Sequence, residues 1–449
     1  MSKDKGKDKV AALKNKTREL RKEIKKLRSR NRELSRSREN WKQKYKKEKK
    51  TVCKESGLVE GLKAKGHRHP LWVNEYCLRL CQYGGISLRS CRESLMTLSL
   101  VMGLSLSVPS HVSIRNWQLK LGYYRHARRE GRGTRPGRWA LIVDESITLG
   151  AERLLVVLGV DVGAWGFERC LGLGDVDVLY MGCGKEWKKE DVQKALESAS
   201  SGLEVLQVVS DRGSNLLNAY KLSSMLYVPD CSHDMARILE RHLSGHLLFK
   251  AMNEWCGQLR QCWTTSRHVK WCPPRYRGKS RFMNVFPQVK WAERTLGPGA
   301  EMTAAVREKM EWLFQNRAFV EGLCSIRKVV EKVLKCLKVK GASLAAIQQA
   351  RLAGQEGDLD DTGKKIWYDI LAYLDELEEK CLKVKQPLLC CSDVIESLFG
   401  RFKYRVNPVN GISDMALAIP ILCGKISKPE IRTALENTKM KEVKLWKRK

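Results

Sequence analysis

Residues 139–150 read WALIVDESITLG, and they open the part of the chain that decides its fold. Four consecutive apolar residues, ALIV, precede Asp144 and predict a buried strand. Two further apolar runs, ERLLVVLGVDVG at 152–163 and VDVLYMGCG at 176–184, predict two more strands. The segment KKEDVQKALESAS at 188–200 then predicts a helix.

Strands and helices alternate after this helix. LEVLQVVSDRGSNLLNAYKL, residues 203–222, predicts a strand, a glycine-containing turn and a helix. MLYVPDCSHDMARILERH, residues 225–242, predicts a strand that runs into another helix. This order predicts an α/β domain with a mixed sheet covered by helices. In such sheets the functional groups gather at the carboxyl ends of strands.

Three carboxylates occupy positions that favour a metal site. Asp144 follows the ALIV run, and Asp211 lies where VVSD meets a turn. Each could be a solvated strand end or a turn residue. On adjacent strands, however, the two would repel each other unless a divalent cation held them, and oxygen ligands favour Mg²⁺ or Mn²⁺. Glu396, in the predicted helix DVIESLFGRFKYR at 393–405, is the third candidate ligand for a two-metal site.

These three residues resemble the DDE triad of ribonuclease H-like transposases, in particular the bacterial insertion-sequence type. Lys403, two helical turns after Glu396, is similar to a lysine that meets DNA near the cleaved phosphate in many insertion-sequence enzymes. DCSH, Asp230 to His233, is similar to the D-x-x-H element of several cut-and-paste groups. His233 is therefore either a group near the scissile phosphate or a core histidine.

The resemblance covers roughly residues 139–242 and 387–407, and it implies both a fold and an activity. The fold is a ribonuclease H-like catalytic domain interrupted by an α-helical insertion. The activity is Mg²⁺-dependent cleavage at transposon ends and strand transfer into target DNA, with Mn²⁺ able to substitute, and without a covalent protein–DNA intermediate. A structure-selective nuclease of the same fold, a domesticated DNA-binding regulator without catalysis, and a basic coiled-coil scaffold are the alternatives.

The charge of the chain predicts a polyanionic partner. Its 449 residues carry a formal net charge of +34, and about half of this lies in the first 70 residues. In that basic arm an a/d heptad seam predicts a coiled coil and hence a homodimer or a higher assembly on double-stranded DNA, the alternative being a disordered basic tail. The seam consists of Val10, Leu13, Thr17, Leu20, Ile24, Leu27, Asn31, Leu34, Arg38, Trp41 and Tyr45.

Two further regions are candidates for DNA contact. Glycine-containing turns separate short helices between residues 66 and 124, with Ser87 as a predicted N-cap, and favour either a helix-turn-helix module or an ordinary small helical domain. Its last helix should expose Arg115, Gln118 and Lys120 to DNA. WCPPRYRGKSRF, residues 271–282, is either a DNA-contacting basic-aromatic loop or a solvated loop, and contributes Arg275, Arg277 and Lys279.

The cysteines are typical of a reduced intracellular protein, either in the bacterial cytoplasm near the nucleoid or in a nucleus. The sixteen cysteines are scattered, and no apolar run is long enough to span a bilayer. Cys256, Cys262, His268 and Cys272 lack the short spacing of a zinc site, so buried thiols are the preferred interpretation.

Composition divides the chain into seven segments. We expect a basic arm at 1–65, a DNA-binding domain at 66–124, a basic linker at 125–138, the first part of the catalytic domain at 139–242, a helical insertion at 243–386, the glutamate helix at 387–415 and a basic tail at 416–449.

Overall fold

A five-stranded mixed sheet forms the centre of the structure. The computed structural model describes residues 17, 20, 23–25, 27–43, 62–127, 136–145, 152–222, 225–276, 282–297, 302–355, 357–405 and 412–446. In the strand order β3-β2-β1-β4-β5, the first three strands pair antiparallel, and β4 and β5 run parallel to β1. The strands are β1 (Arg138–Glu145), β2 (Arg153–Asp161), β3 (Asp177–Gly184), β4 (Glu204–Ser210) and β5 (Leu226–Pro229).

Helices make up most of the rest of the described chain. Within the described residues, no helix is both long and apolar enough to cross a membrane. The helices are α1 (27–43), α2 (Leu71–Tyr83), α3 (Leu88–Val101), α4 (His111–Ala127), α5 (Val162–Trp165), α6 (Lys189–Ser200), α7 (Ser214–Leu222), α8 (Cys231–Leu243), α9 (Leu247–Trp263), α10 (Phe286–Leu296), α11 (Ala304–Lys309), α12 (Glu311–Gln315), α13 (Arg317–Lys340), α14 (Leu344–Gln355), α15 (Asp361–Val384), α16 (Asp393–Arg405), α17 (Ile419–Leu422), α18 (Lys428–Asn437) and α19 (Met440–Leu445).

Both faces of the sheet are covered, which explains why its strands read as nearly continuous apolar runs. Side chains alternate between the faces along each strand. In β1, Leu141 and Val143 pack with α6 and α7, whereas Ala140 and Ile142 share the larger core with α8 and α16. The α/β class with a mixed sheet covered by helices is therefore confirmed.

The segment between α8 and α16 is helical. Helices α9 to α15 lie here in sequence, and their buried faces belong to the same core as one side of the sheet. The 24-residue helices α13 and α15 contact each other and also contact α8. This segment is therefore packed onto the sheet domain through α8, and the Lys338–Asp393 ion pair links α13 to the start of α16.

The C-terminal segment 416–449, which we expected to be a basic tail, instead forms packed helices over its described part. Ile421, Ile431 and Leu435 share a buried core with α2, α3 and α4. A Cβ atom on Gly122 would lie 1.7 Å from the carbonyl oxygen of Leu417, so only glycine permits this close approach of α4. Apolar residues at helical spacing outweigh the lysines here, because the helices have a core to cover.

Candidate active site

Asp144 and Asp211 lie at the same end of two adjacent parallel strands. Ile142 of β1 is paired with Val209 of β4, and each aspartate stands two residues after its member of this pair. Because side chains alternate, Asp144 shares the sheet face of Ile142, which is the face covered by α16. The sequence therefore positioned both aspartates correctly, Asp144 within a strand and Asp211 directly after one.

Helix α16, which carries Glu396, is held against this face by hydrogen bonds from distant residues. The buried amide of Gln207 on β4 donates to the carbonyl of Leu389 at 2.6 Å and accepts from the Leu389 amide at 3.1 Å. Farther along, the Cys231 amide donates to the Cys390 carbonyl at 2.8 Å. The chain thus enters α16 along β4 and the start of α8, and α16 contacts β1.

Asp230 joins the two helices that carry candidate site residues. One carboxylate oxygen caps α8 by accepting from the His233 amide at 2.7 Å, and the other accepts from the Ser392 amide at 2.5 Å, just before α16. Burial raises the pKa of Asp230, whereas these amides act in the opposite direction. Asp230 is therefore a positioning residue for both His233 and Glu396.

The side chains of His233 and Glu396 meet. The His233 Nε2 atom lies 3.0 Å from a carboxylate oxygen of Glu396, and both side chains remain about one-third exposed at 32% and 36%. Of the two interpretations of His233, this contact at an accessible surface favours a site residue over a core histidine.

The pKa of Asp144 depends on the charges of three neighbouring candidate site residues. Burial, and next the negative charge of Asp211, raise its pKa to about 7. His233 lowers this pKa, and Glu396 raises it further. Two neighbouring carboxylates disfavour the ionised form of Asp144, and a bound cation would stabilise that form.

Lys403 lies on the same side of α16 as the carboxylates. Burial lowers the pKa of its ammonium group, and the charge of Asp144 opposes that effect. Its Nζ atom also lies 5.8 Å from the centroid of the Phe399 ring. A partly desolvated cation near Asp144 is therefore available to a bound anion.

The three carboxylates do not form one tight ligand set. Among the described residues, the group of potential ligands whose atoms all lie within 4.8 Å of one another is Asp230, Cys231 and Cys391, not Asp144, Asp211 and Glu396. A two-metal site tolerates this wider spacing, because ligands of different ions need not touch.

Sequence reasoning missed Arg212, the residue after Asp211. Its guanidinium donates to both oxygens of Asp234 on α8, at 2.9 and 2.8 Å, and to Glu376 on α15 at 2.5 Å. These bonds tie the turn that carries Asp211 to two helices. An arginine after a strand-end aspartate has many possible partners, so the sequence alone did not indicate these two.

The expected DNA-contacting face of α4 is largely covered. Gln118, which we expected to be exposed, is 2% exposed, and the Lys120 ammonium donates to the Leu435 carbonyl at 2.9 Å. Arg115 is half-buried. The expectation was wrong for Gln118, because α4 packs against α2 and α3 as well as against the C-terminal helices. The same packing holds the Lys120 ammonium against the Leu435 carbonyl.

The basic-aromatic loop lies only partly within the described residues. Arg275 is exposed, whereas Arg277 and Lys279 fall in 277–281, outside the described residues. Nearby, Cys256 is buried and Cys262 is exposed. Among the described residues, Cys256, Cys262, His268 and Cys272 do not form a group with metal-ligand spacing.

The described part of the basic arm is helical and exposes its apolar seam. Leu27, Leu34 and Trp41 are 57%, 61% and 71% exposed in α1. Val10, Leu13 and Tyr45 lie outside the described residues.

No protein-family model matches this chain, and a search of curated proteins finds no match.

Proposed function

We propose that this chain is a DNA transposase of the DDE type, which cleaves strands at transposon ends and transfers them to target DNA. The observation that carries the proposal is geometric: Asp144 and Asp211 lie at the same end of adjacent parallel strands, and α16, which carries Glu396, packs against β1. Up to 252 residues separate these positions, from Asp144 to Glu396. In a strongly basic chain, such a carboxylate group supports metal-dependent chemistry on a phosphodiester.

The finer fold assignment, a ribonuclease H-like catalytic domain with a helical insertion, belongs to this proposal. It is supported by two aspartates at one end of adjacent parallel strands, with the glutamate on a helix packed against β1. The helical segment that separates α8 from α16 agrees with an insertion before the glutamate helix.

The residues present fit hard divalent cations. Asp144, Asp211 and Glu396 offer carboxylate oxygens, the ligands that Mg²⁺ and Mn²⁺ prefer. When bound, such ions supply Lewis-acid activation of a water or a 3′-hydroxyl and stabilisation of the leaving oxygen. The high proton affinity of Asp144 means that a cation must compete with a proton at this carboxyl near neutral pH.

The protein residues around the carboxylates bind and orient. Lys403 provides a cation beside Asp144 for the phosphate being cleaved. His233 fixes one oxygen of Glu396 at 3.0 Å, and Asp230 fixes the backbone of His233. Arg212 restrains the turn after Asp211. All these groups lie on or beside elements of the sheet domain, which limits their freedom before substrate arrives.

For recognition of DNA, α3 is a better candidate than α4. Four residues, 84–87, separate α2 from α3, as in a helix-turn-helix, whereas nine residues, 102–110, separate α3 from α4. Ser87 caps α3 as predicted, with its hydroxyl accepting from the Ser90 amide at 3.0 Å. Arg89 and Ser90 are exposed in the first turn, where a recognition helix reads base edges.

The basic arm supports the remaining partner assignments. Its exposed seam on α1 suits a homodimer, and two transposon ends must be held together for strand transfer. Its lysines and arginines suit contact with DNA phosphates.

A strand-transfer assay tests the function. Purified full-length protein is incubated in Mg²⁺ with the labelled ends of its own element and with a supercoiled target plasmid. We expect nicked ends and also joined products, and neither product from Asp211→Asn. Nicking without joining would favour the nuclease alternative, and binding without nicking would favour a regulator.

A further inference from the structure

Three cysteine side chains meet where α8 and α16 begin, beside the carboxylate site but outside it. Cys231 is the first residue of α8, and Cys390 and Cys391 precede α16. Cys231 and Cys390 are 0% exposed, and the Cys231 amide donates to the Cys390 carbonyl at 2.8 Å. Two distant segments of the chain are thus joined at a buried group of thiols.

The atoms of this group have the spacing of metal ligands. One ligand atom each from Asp230, Cys231 and Cys391 lies within 4.8 Å of the other two. A tetrahedral zinc ion with Zn–S bonds of about 2.3 Å separates its sulfur atoms by about 3.8 Å. The observed separations therefore need only small side-chain movements to close around an ion. The Cys390 thiol contacts that of Cys231 but is not a member of this group of three ligands.

We propose that Cys231, Cys391 and Asp230 form a structural site for a thiophilic divalent cation such as Zn²⁺. Thiolates select such an ion over Mg²⁺, so the site is chemically distinct from the all-oxygen group of Asp144, Asp211 and Glu396. Binding converts two thiols to thiolates and releases two protons to solvent. The resulting complex of one dication, two thiolates and one carboxylate carries a single negative charge.

The surroundings suit that charge and give the ion a role. The Lys338 ammonium donates to Asp393 at the start of α16 and interacts electrostatically with both Cys231 and Cys391. Asp230 already holds the backbone at His233 and at Ser392. A cation at this point would fasten the starts of α8 and α16 to each other. The proposal does not depend on the chemistry of the carboxylate site.

Cobalt substitution is the direct test. Full-length protein is purified under reducing conditions, stripped with a chelator and titrated with Co²⁺, whose thiolate complexes give a strong ligand-to-metal charge-transfer band. We expect this band to saturate at one equivalent and to disappear when Zn²⁺ is added. Cys231→Ser and Cys391→Ser should abolish it, and Cys262→Ser, at an exposed cysteine elsewhere, should leave it unchanged.

A measurement on the unaltered chain guards against variants that fail to fold. X-ray absorption of the zinc-loaded protein should give two or three sulfur ligands at about 2.3 Å. A shell of nitrogen and oxygen alone, or a cobalt band that survives both Cys231→Ser and Cys391→Ser, would overturn the proposal. The proposal would also be overturned if Cys231 and Cys391 form a disulfide in the protein as purified and the protein takes up no Co²⁺ once that disulfide is reduced. Because these readouts do not involve DNA cleavage, failure here and failure of the transposase proposal are separable.

Discussion

Asp230 connects the starts of the two helices that carry His233 and Glu396. It lies in the buried turn between β5 and α8, and each of its oxygens accepts a backbone amide hydrogen from a different helix start. The Ser392 bond is buried and the His233 bond partly so, and leaving the buried amide without an acceptor would cost about 1–3 kcal/mol. The sequence indicated Asp230 only as part of a D-x-x-H element and gave no sign of its bond to Ser392, because that partner is 162 residues away.

The first prediction concerns Asp144. Its folded-state pKa is raised from 3.8 to about 7, so protonation favours the folded state, and that contribution is lost as pH rises from about 4 to 7. Because asparagine does not ionise, Asp144→Asn does not lose stability over this pH range. At pH 8 without divalent ions, we expect its free energy of unfolding to exceed that of the parent chain by up to about 4 kcal/mol, and by little at pH 4.

Urea denaturation across this pH range measures the effect. Asp361→Asn, at a side chain 97% exposed, is the control and should change little. Added Mn²⁺ should stabilise the parent chain more than Asp144→Asn. A variant that is less stable than the parent at pH 8 would contradict the assignment of Asp144 as a desolvated carboxylate.

At the scale of elements, the sequence predicted most strands and helices of the sheet domain but few of the contacts that hold them together. Periodicity and turn residues located β1, β4 and α16, because each is a local pattern. The contacts that anchor α16 are not local: Gln207 and Leu389 are 182 residues apart. The lysine-rich composition of 416–449 concealed the apolar positions of α18. The lengths of the turns before and after α3 could not be compared until the structure gave the ends of that helix.

The second prediction concerns the anchor of α16. Gln207→Leu keeps the approximate volume but leaves the buried amide and carbonyl of Leu389 without partners. We expect the free energy of unfolding to fall by about 2–5 kcal/mol. Gln315→Leu is the matched control, because that amide bonds Glu311 on the surface and should contribute less than about 0.5 kcal/mol. Equal effects of the two substitutions in urea denaturation would show that Gln207 does not anchor α16.

The third prediction assigns recognition to α3. Arg89→Ala should reduce preference for the element's own ends over unrelated duplex by about 1–3 kcal/mol, because a base contact carries sequence information. Arg115→Ala, on the half-buried face of α4, should affect binding to both duplexes by a similar and smaller amount. Fluorescence anisotropy with the two duplexes at fixed salt measures this difference. If Arg115→Ala alters preference and Arg89→Ala does not, the reading helix is α4.

At the scale of the whole molecule, charge and assembly are linked through the arm. About half of the formal charge of +34 lies in the first 70 residues, and the same segment carries the heptad seam. If two such arms pair as proposed, their like charges repel each other. Bound DNA screens that repulsion, and so does salt. Dimerisation of the free protein should therefore strengthen as the salt concentration rises, whereas DNA binding weakens.

The fourth prediction follows from this opposition. Full-length protein should be a dimer by light scattering, more completely at high than at low salt. Leu27→Ala combined with Leu34→Ala should give a monomer, because both are seam positions. Leu100→Ala, at a residue 75% exposed on α3, should not change the mass. A monomeric parent chain at all salt concentrations, with DNA bound or not, would contradict the coiled coil.

The central claim is that Glu396 acts with Asp144 and Asp211 in metal-dependent DNA cleavage. Asp393, on the same helix three residues earlier, is the matched control: it is bonded to Ser232 and Lys338, and Glu396 contacts His233. Nicking of a labelled end substrate is measured in Mg²⁺ and in Mn²⁺ for Glu396→Gln and Asp393→Asn, after end binding has been verified for both. We predict that Glu396→Gln binds ends but cleaves at least about 10²-fold more slowly, since loss of the charge weakens metal binding, and that Asp393→Asn still cleaves. Normal cleavage by Glu396→Gln would contradict the account.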